Sequence, residues 1–175
     1  MSARTASISA IARACVEQLE ERWFLSAGGL DPSFGTNGYV LTSIHATAGA
    51  NGYDGSDLAS AATDNRTGKL IVAGSADGNA ALALVRYNLN GTRDVSFGQG
   101  GQAVLEFGAG GLAVANSVAL QANDTILVGG AATVQGGNLN AVIARWTTNG
   151  QLDTTFGQDG IVDAPVDPTL FDFSA

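Results

Sequence analysis

Positive charge is scarce in this chain. Its 175 residues include 8 lysines and arginines, of which only Lys69 is a lysine, against 16 aspartates and glutamates, for a formal net charge of -8. A surface that grips phosphates needs clustered Lys and Arg, so nucleic acid and anionic membranes are poor partners. Charged residues of both signs together make up 14% of the chain, where a soluble domain ordinarily carries about 25%. The single cysteine, Cys15, has no second cysteine to bridge to, which rules out an internal disulfide. His45 is the only histidine, so any Ser/His/Asp chemistry would have to pass through it. No apolar run approaches the ~20 residues of a membrane-spanning helix. What is plentiful is glycine, 24 residues against 3 prolines. Such a chain turns often and builds few long helices. Apolar residues make up 45%, enough for a packed core and too many for a disordered tail.

Residues 1 to about 27 stand apart from the rest. Ala12, Cys15, Val16, Leu19 and Trp23 recur at three- and four-residue intervals, which predicts a short helix with one apolar face. Arg4 and Arg13 interrupt the apolar stretch, so it lacks the continuous core of a standard secretory signal.

From Gly28 onward the chain repeats itself. GGLDPSFGTNG (28–38), GTRDVSFGQGG (91–101) and GQLDTTFGQDG (150–160) are three copies of one phrase. KLIVAG (69–74) returns as TILVGG (125–130), and LALVRYNLNG (82–91) as AVIARWTTNG (141–150). The last pair aligns Arg86 with Arg145 and Tyr87 with Trp146. The order of phrases is the same in both copies, the signature of a repeat architecture. Turn residues separate short apolar runs, and these predict four strands per unit. In the first unit they fall at about 39–45, 58–64, 69–75 and 81–88, and in the second at about 102–107, 115–121, 125–132 and 140–147. The units run at about 28–90 and 91–149, with the start of a third at 150–175.

These phrases resemble the delta-60 repeat family, whose pattern joins G-x-L-D-x-S/T-F-G-x-x-G to a Q-x-D-G-K-I-L-V-A-G phrase and an R-Y-N-x-x-G phrase. ANSVALQANDTILVGG (115–130) is closest to the middle phrase, with Thr125 in place of the family's Lys. The resemblance covers 28–175. It implies an all-β fold of tandem four-stranded antiparallel propeller-type blades, about two and a fraction of them, in exported or surface-attached bacterial proteins. It implies no reaction and no cofactor. Separately, VEQLEERWFLSA (16–27) resembles the LEPR-XLL segment of large exported bacterial proteins, with Glu21 in place of its Pro and Phe24 in place of a Leu. That resemblance implies export or sorting.

The residues with chemistry to offer have structural uses first. Asp31, Asp94 and Asp153 are placed to accept amide hydrogen bonds two residues on, as turn aspartates do. Phe34, Phe97 and Phe156 would bury a ring beneath each turn. Gly35, Gly38, Gly98, Gly101, Gly157 and Gly160 supply backbone angles that side chains disfavour. Arg86 and Arg145 recur inside apolar strands and need partners there, for which Asp94 and Asp153 are the nearest candidates. The alternative is a ring of arginines that binds an anion. Tyr87 and Trp146 are either blade core or the aromatic platform of a sugar site. Asp54 and Asp57 in the DGSD loop lack the third and fourth oxygens of a calcium site, so no metal is expected. With no nucleophile elbow and no distinguished carboxylate pair, no enzyme activity is expected.

Two blades and a fraction cannot close a ring, which takes four to eight blades. The expected partners are therefore other blades, from a longer chain or from an oligomer in which strand 161–166 completes a partner's blade. Function is expected to be interaction or scaffolding. A lectin-like assembly of two-blade subunits is the competing reading, and a hydrolase or lyase fragment the remote one.

Overall fold

The structure, a computed structural model, describes residues 29–44, 57–64, 66–76, 79–108, 111–134 and 137–165. The expected N-terminal helix and the segment resembling LEPR-XLL lie outside these residues, as do Cys15, His45 and Asp54. Eight strands follow in chain order. They are β1 (Asp57–Thr63), β2 (Leu70–Ala76), β3 (Ala81–Tyr87), β4 (Gln102–Glu106), β5 (Ala113–Leu120), β6 (Ile126–Thr133), β7 (Leu139–Trp146) and β8 (Ile161–Ala164). They form two four-stranded antiparallel sheets of consecutive neighbours, β1-β2-β3-β4 and β5-β6-β7-β8.

The strands are where the apolar runs place them, with one change of grouping. Residues 39–44 belong to neither sheet, although 39–45 reads as the first strand of a unit. The strand after the second turn phrase, β4, is the last strand of sheet one. Likewise 161–164 closes sheet two. The cause is the turn phrase itself. After β3 the chain folds back on its own sheet, where Asp94 N donates to Arg86 O at 2.8 Å and Arg86 N to Gly101 O at 3.0 Å. The strand leaving the phrase therefore lies beside the strand entering it, so the phrase sits inside a sheet rather than between two.

The two sheets repeat in detail. Both first strands carry a bulge at the same place, between Leu58 and Ser60 and between Ala115 and Ser117. Leu70 lies opposite Tyr87 as Ile126 lies opposite Trp146. They differ in how many faces are covered. β3, ALALVRY, is apolar on both faces and buried at all positions but Arg86. A strand covered on both sides reads as a continuous apolar run for this reason. β7, LNAVIARW, buries Asn140, Val142, Ala144 and Trp146 and exposes Leu139, Ala141 and Ile143, the alternation of a strand covered on one side.

Between the sheets lies the main core. Leu82, Leu84, Ile71 and Phe97 from sheet one meet Ile126, Val128, Val142 and Trp146 from sheet two, all at 3% exposure or less. Phe97 and Trp146 are the largest of these and bring much of the buried apolar area. A smaller cluster of Ala76, Ala81, Ala83, Val85 and Tyr87 lies on the other face of sheet one, with Ile44 and Val40 over it.

Candidate functional site

The repeated turn phrase supplies the most organised polar cluster among the described residues, and it sits at the junction of the two sheets. Asp94 organises it. One carboxylate oxygen, Oδ1, accepts from Ser96 N at 3.2 Å and Ser96 Oγ at 2.6 Å. That turn leaves Oδ2 free to accept from Arg86 Nε and Lys69 Nζ, both at 2.7 Å. Arg86 sits one residue before the end of β3, so its guanidinium reaches past the sheet edge over the Phe97 ring, 4.7 Å from the centroid. Its Nη2 donates to Ser96 Oγ at 3.3 Å, and its Nη1 donates to Thr148 O, in the turn after β7, at 2.6 Å. That last bond ties sheet one to sheet two.

Electrostatically this is a closed arrangement. Burial pushes the Asp94 pKa up, but the hydrogen bonds from Lys69 and Ser96 and the charge of Arg86 outweigh it. The carboxyl is held well below its ordinary range. A buried carboxylate with two cations on one oxygen and a hydroxyl on the other is fully engaged. Arg86 commits Nε, one Nη1–H and one Nη2–H to Asp94, Thr148 and Ser96, so three of its five N–H donors serve the joint.

The second copy repeats the pair without the bridge. Arg145 Nε donates to Asp153 Oδ2 at 2.8 Å, Thr155 caps Asp153 Oδ1, and the guanidinium lies 4.5 Å from the Phe156 ring centroid. The Thr155 hydroxyl is the leading cause of a lowered Asp153 pKa, with Arg145 adding to it. Thr125 replaces Lys69, and no carbonyl stands where Thr148 meets Arg86, among the described residues. In the first copy, Asp31 accepts from Ser33 N and Oγ at 2.9 and 2.7 Å, which lowers its pKa. It has no arginine beside it among the described residues.

Glycine is required at two repeated positions. Gly98 lies at φ 53°, where a Cβ would run into Gln102 O, and Gly35 and Gly157 share that conformation. Its amide donates to Asn149 O at 2.7 Å, a bond that Gly35 N repeats to Asn90 O at 2.8 Å. Gly91 and Gly150 sit against those same turns, where a Cβ would lie 2.6 Å from Gly35 N and 2.7 Å from Gly98 N. The first turn phrase thus docks on the Asn-Gly turn of sheet one, and the second on that of sheet two. Gly38, Gly101 and Gly160 also hold positive φ.

Trp146 is 2% exposed within the main core, and Tyr87 is 7% exposed with its hydroxyl on Thr42 Oγ1 at 2.6 Å. Neither ring offers a free face for stacking on a ligand. Two open grooves repeat beside the docked turns. One of about 650 Å³ lies between Gln99, Gln102 and Gln151, and one of about 600 Å³ between Thr36, Tyr39 and Thr92. Among the described residues no three His, Cys, Asp or Glu side chains converge as a metal site, and no helix is long and apolar enough to cross a membrane.

Three elements were not singled out from the sequence. Asp64 caps the β1–β2 turn through Arg66 N at 2.8 Å and Thr67 N at 3.3 Å. Lys69 joins Asp94 from a different strand, and Arg66 pairs with Asp124 across the two sheets. Asp64-x-x-Thr67 carried a readable turn signal, whereas the other two pairs depend on how the sheets stack.

Comparison with known families bears on this geometry. A family model described as "Domain of unknown function (DUF5122) beta-propeller" matches residues 66–97 and 121–156. Each matched stretch begins at the turn into the second strand of a sheet and runs through the Arg–Asp–Phe cluster. These two stretches are similar to β-propeller repeats. The two four-stranded antiparallel sheets are consistent with blades of that kind, and the cluster joins them. No curated protein matches the chain.

Proposed function

We propose that the chain is a non-catalytic β-propeller repeat module of an exported or surface protein, acting by interaction or as a scaffold. One observation carries this reading. Arg86 and Lys69, the cations most favourable to chemistry, both donate to Asp94, and Arg86 Nη1 also donates to Thr148 O in the other sheet, so these charges are used to hold the two sheets together. Catalytic groups are instead poised toward a substrate, with donors or lone pairs left to give. Export follows from the resemblance of residues 16–27 to LEPR-XLL, and the absence of enzyme activity from the lack of any motif with a mechanism behind it.

Two measurements test this. The purified chain is assayed against glycoside, ester and peptide panels, where no turnover above a buffer control is expected. Turnover that scales with protein and survives repurification would overturn the non-catalytic reading. Fractionation of bacteria expressing the chain addresses export, and a wholly cytosolic pool would count against it. The lectin reading gains nothing from Trp146 and Tyr87, whose rings are already packed.

A further inference from the structure

The two grooves beside the docked turns are one feature made twice. Positions 36, 39 and 92 in the first answer to 99, 102 and 151 in the second, because Gly35 N bonds Asn90 O as Gly98 N bonds Asn149 O. Thr36, Tyr39 and Thr92 stand in one set, Gln99, Gln102 and Gln151 in the other. These side chains are all neutral, and each hydroxyl or carboxamide can both donate and accept. Although the chain has a net charge of -8, no Asp, Glu, Lys or Arg lines the first groove, and Glu106 is the one charged residue on the second.

This lining limits what can bind. Main-chain groups are spent locally, with Thr36 N donating to Tyr39 O at 2.9 Å and Gln99 N to Gln102 O at 2.7 Å. A peptide strand is gripped largely through main-chain bonds, and it finds few partners here. Phosphate or a carboxylate finds no cation in either groove. What remains are side-chain hydroxyls and amides, which suit a neutral ligand dense in hydroxyls.

Tyr39 adds an apolar platform to the first groove. It is 49% exposed, against 7% for Tyr87 and 2% for Trp146. Its backbone is held by Thr36 across a turn in which Gly35 and Gly38 take φ of 58° and 92°, so the platform is fixed before a ligand arrives. The Thr92 hydroxyl donates to Asn90 Oδ1 at 2.7 Å and accepts from Asn88 Nδ2 at 3.0 Å, which leaves it one lone pair to offer.

We propose that the groove at Tyr39 binds a neutral saccharide. One sugar ring lays its C–H face on the Tyr39 ring, and its hydroxyls bond Thr36 Oγ1 and Thr92 Oγ1. The Gln99–Gln102–Gln151 groove is a second copy without the aromatic platform, and it binds the same sugars more weakly. Volumes of about 600 and 650 Å³ fall within the roughly 300–1,000 Å³ of small-molecule sites. This rests on the reading of the chain as an interaction module and supplies its class of ligand.

The whole chain is screened against neutral hexose and N-acetylhexosamine oligosaccharides, sialylated and sulfated glycans, and uncharged Ala/Ser peptides. Binding to neutral oligosaccharides, and to neither other class, is expected. No neutral oligosaccharide bound at up to about 10 mM, or a preference for charged glycans or peptides, overturns the proposal. With the best neutral binder, Tyr39→Ala is expected to weaken affinity roughly tenfold or more, and Tyr39→Phe less than about threefold. Unchanged affinity in Tyr39→Ala overturns the site. Gln102→Tyr, which places a ring at the equivalent position, is expected to add a second site of comparable affinity, and unchanged stoichiometry overturns the second copy. Should Tyr39→Ala not fold, amide shifts on titrating that sugar into the parent decide. Changes centred on 33–41 and 90–92 support the site, and changes confined elsewhere overturn it. Failure to bind sugar leaves the scaffold reading standing, whereas turnover of a bound sugar defeats the non-catalytic reading and leaves the site.

Discussion

The two faces of sheet one carry the same repeat under different conditions. Toward sheet two, Ile71, Ala73, Leu82 and Leu84 are sealed beneath Trp146, Ile126 and Val128. On the opposite face Ala83, Val85 and Tyr87 pack with Val40 and Ile44 beside an apolar cavity. Both faces are buried, so the difference comes from side-chain size, Leu82 and Leu84 against Ala83 and Val85, and from the cavity beside Tyr87. A blade is a poor folding unit alone because both of its faces are apolar, and stability in such arrays comes largely from neighbours. The contrast also orders what substitutions should do.

The largest effect belongs to the tryptophan. Trp146→Ala empties the main core and is expected to cost about 3–5 kcal/mol, the range for deleting a large buried aromatic side chain. Tyr87→Ala, at the equivalent position beside an existing cavity, should cost at least ~1 kcal/mol less, since cost tracks how much packing is lost. Urea denaturation of both variants measures this. Equal losses would mean that the upstream face is as well packed as the joint, and the comparison would fail.

Next comes the ion cluster. Asp94→Ala leaves Arg86 and Lys69 half-buried without their carboxylate, at an expected cost of about 3 kcal/mol, as for breaking a buried pair. Asp153→Ala, with one cation and more solvent, should cost less. The pH dependence has a definite sign. A carboxyl whose folded pKa lies below its unfolded value stabilises the fold above the unfolded value, and that stability is lost as pH falls through the folded one. Asp94 is lowered in this way, so acid should begin to destabilise the protein below about pH 4. Asp94→Asn should flatten that limb more than Asp153→Asn. A reversed order in acid-melting curves would show that Asp153 carries the larger share.

Glycine gives an intermediate effect. Gly150→Ala places a Cβ 2.7 Å from Gly98 N, at the filled joint, and forces a side chain to a φ of 83°. Gly137→Ala is the control, with a similar φ of 81° and nothing within 4 Å. The control isolates backbone strain, of about 1 kcal/mol. Gly150→Ala should lose at least that much again, because backbone is what stands in the way. Matched melting temperatures for the two variants would mean that docking of the turn on the next blade contributes little.

Much of this was legible in the sequence, for physical reasons. Strand positions followed from apolar runs bounded by glycine. The triple recurrence of Asp, Phe and Gly announced turns that recur in the structure at Asp31, Asp94 and Asp153. The pairing of Arg86 with Asp94 could be anticipated because a cation in an apolar strand needs a counter-ion. The grouping of strands could not. Strand 102–106 reads equally well as the last of one blade or the first of the next, since periodicity reports faces and not neighbours. Lys69 joining Asp94, and Arg86 reaching Thr148, were hidden for the same reason. Each is set by which strands lie side by side or which blades stack, and no local pattern encodes that.

The smallest effect tests whether charge contributes at the surface as it does in the joint. Arg66 and Asp124 pair between the first turns of the two blades, and the arginine side chain is 71% exposed. In water such a pair gains little, because solvent screens the attraction and two long side chains lose freedom to form it. Arg66→Ala is therefore expected to change stability by no more than about 0.5 kcal/mol, and salt should erase most of the difference. Asp124→Ala adds a separate backbone-strain cost, since Asp124 holds a φ of 60° that Ala tolerates less well, so the arginine is the cleaner substitution. The informative comparison is Arg86→Ala at the same salt concentrations. Its guanidinium is more buried and bonded to both blades, so its loss should be several times larger and nearly insensitive to salt. If Arg66→Ala matched it, the blades would be held together by surface charge, and the buried cluster would lose its place as the joint.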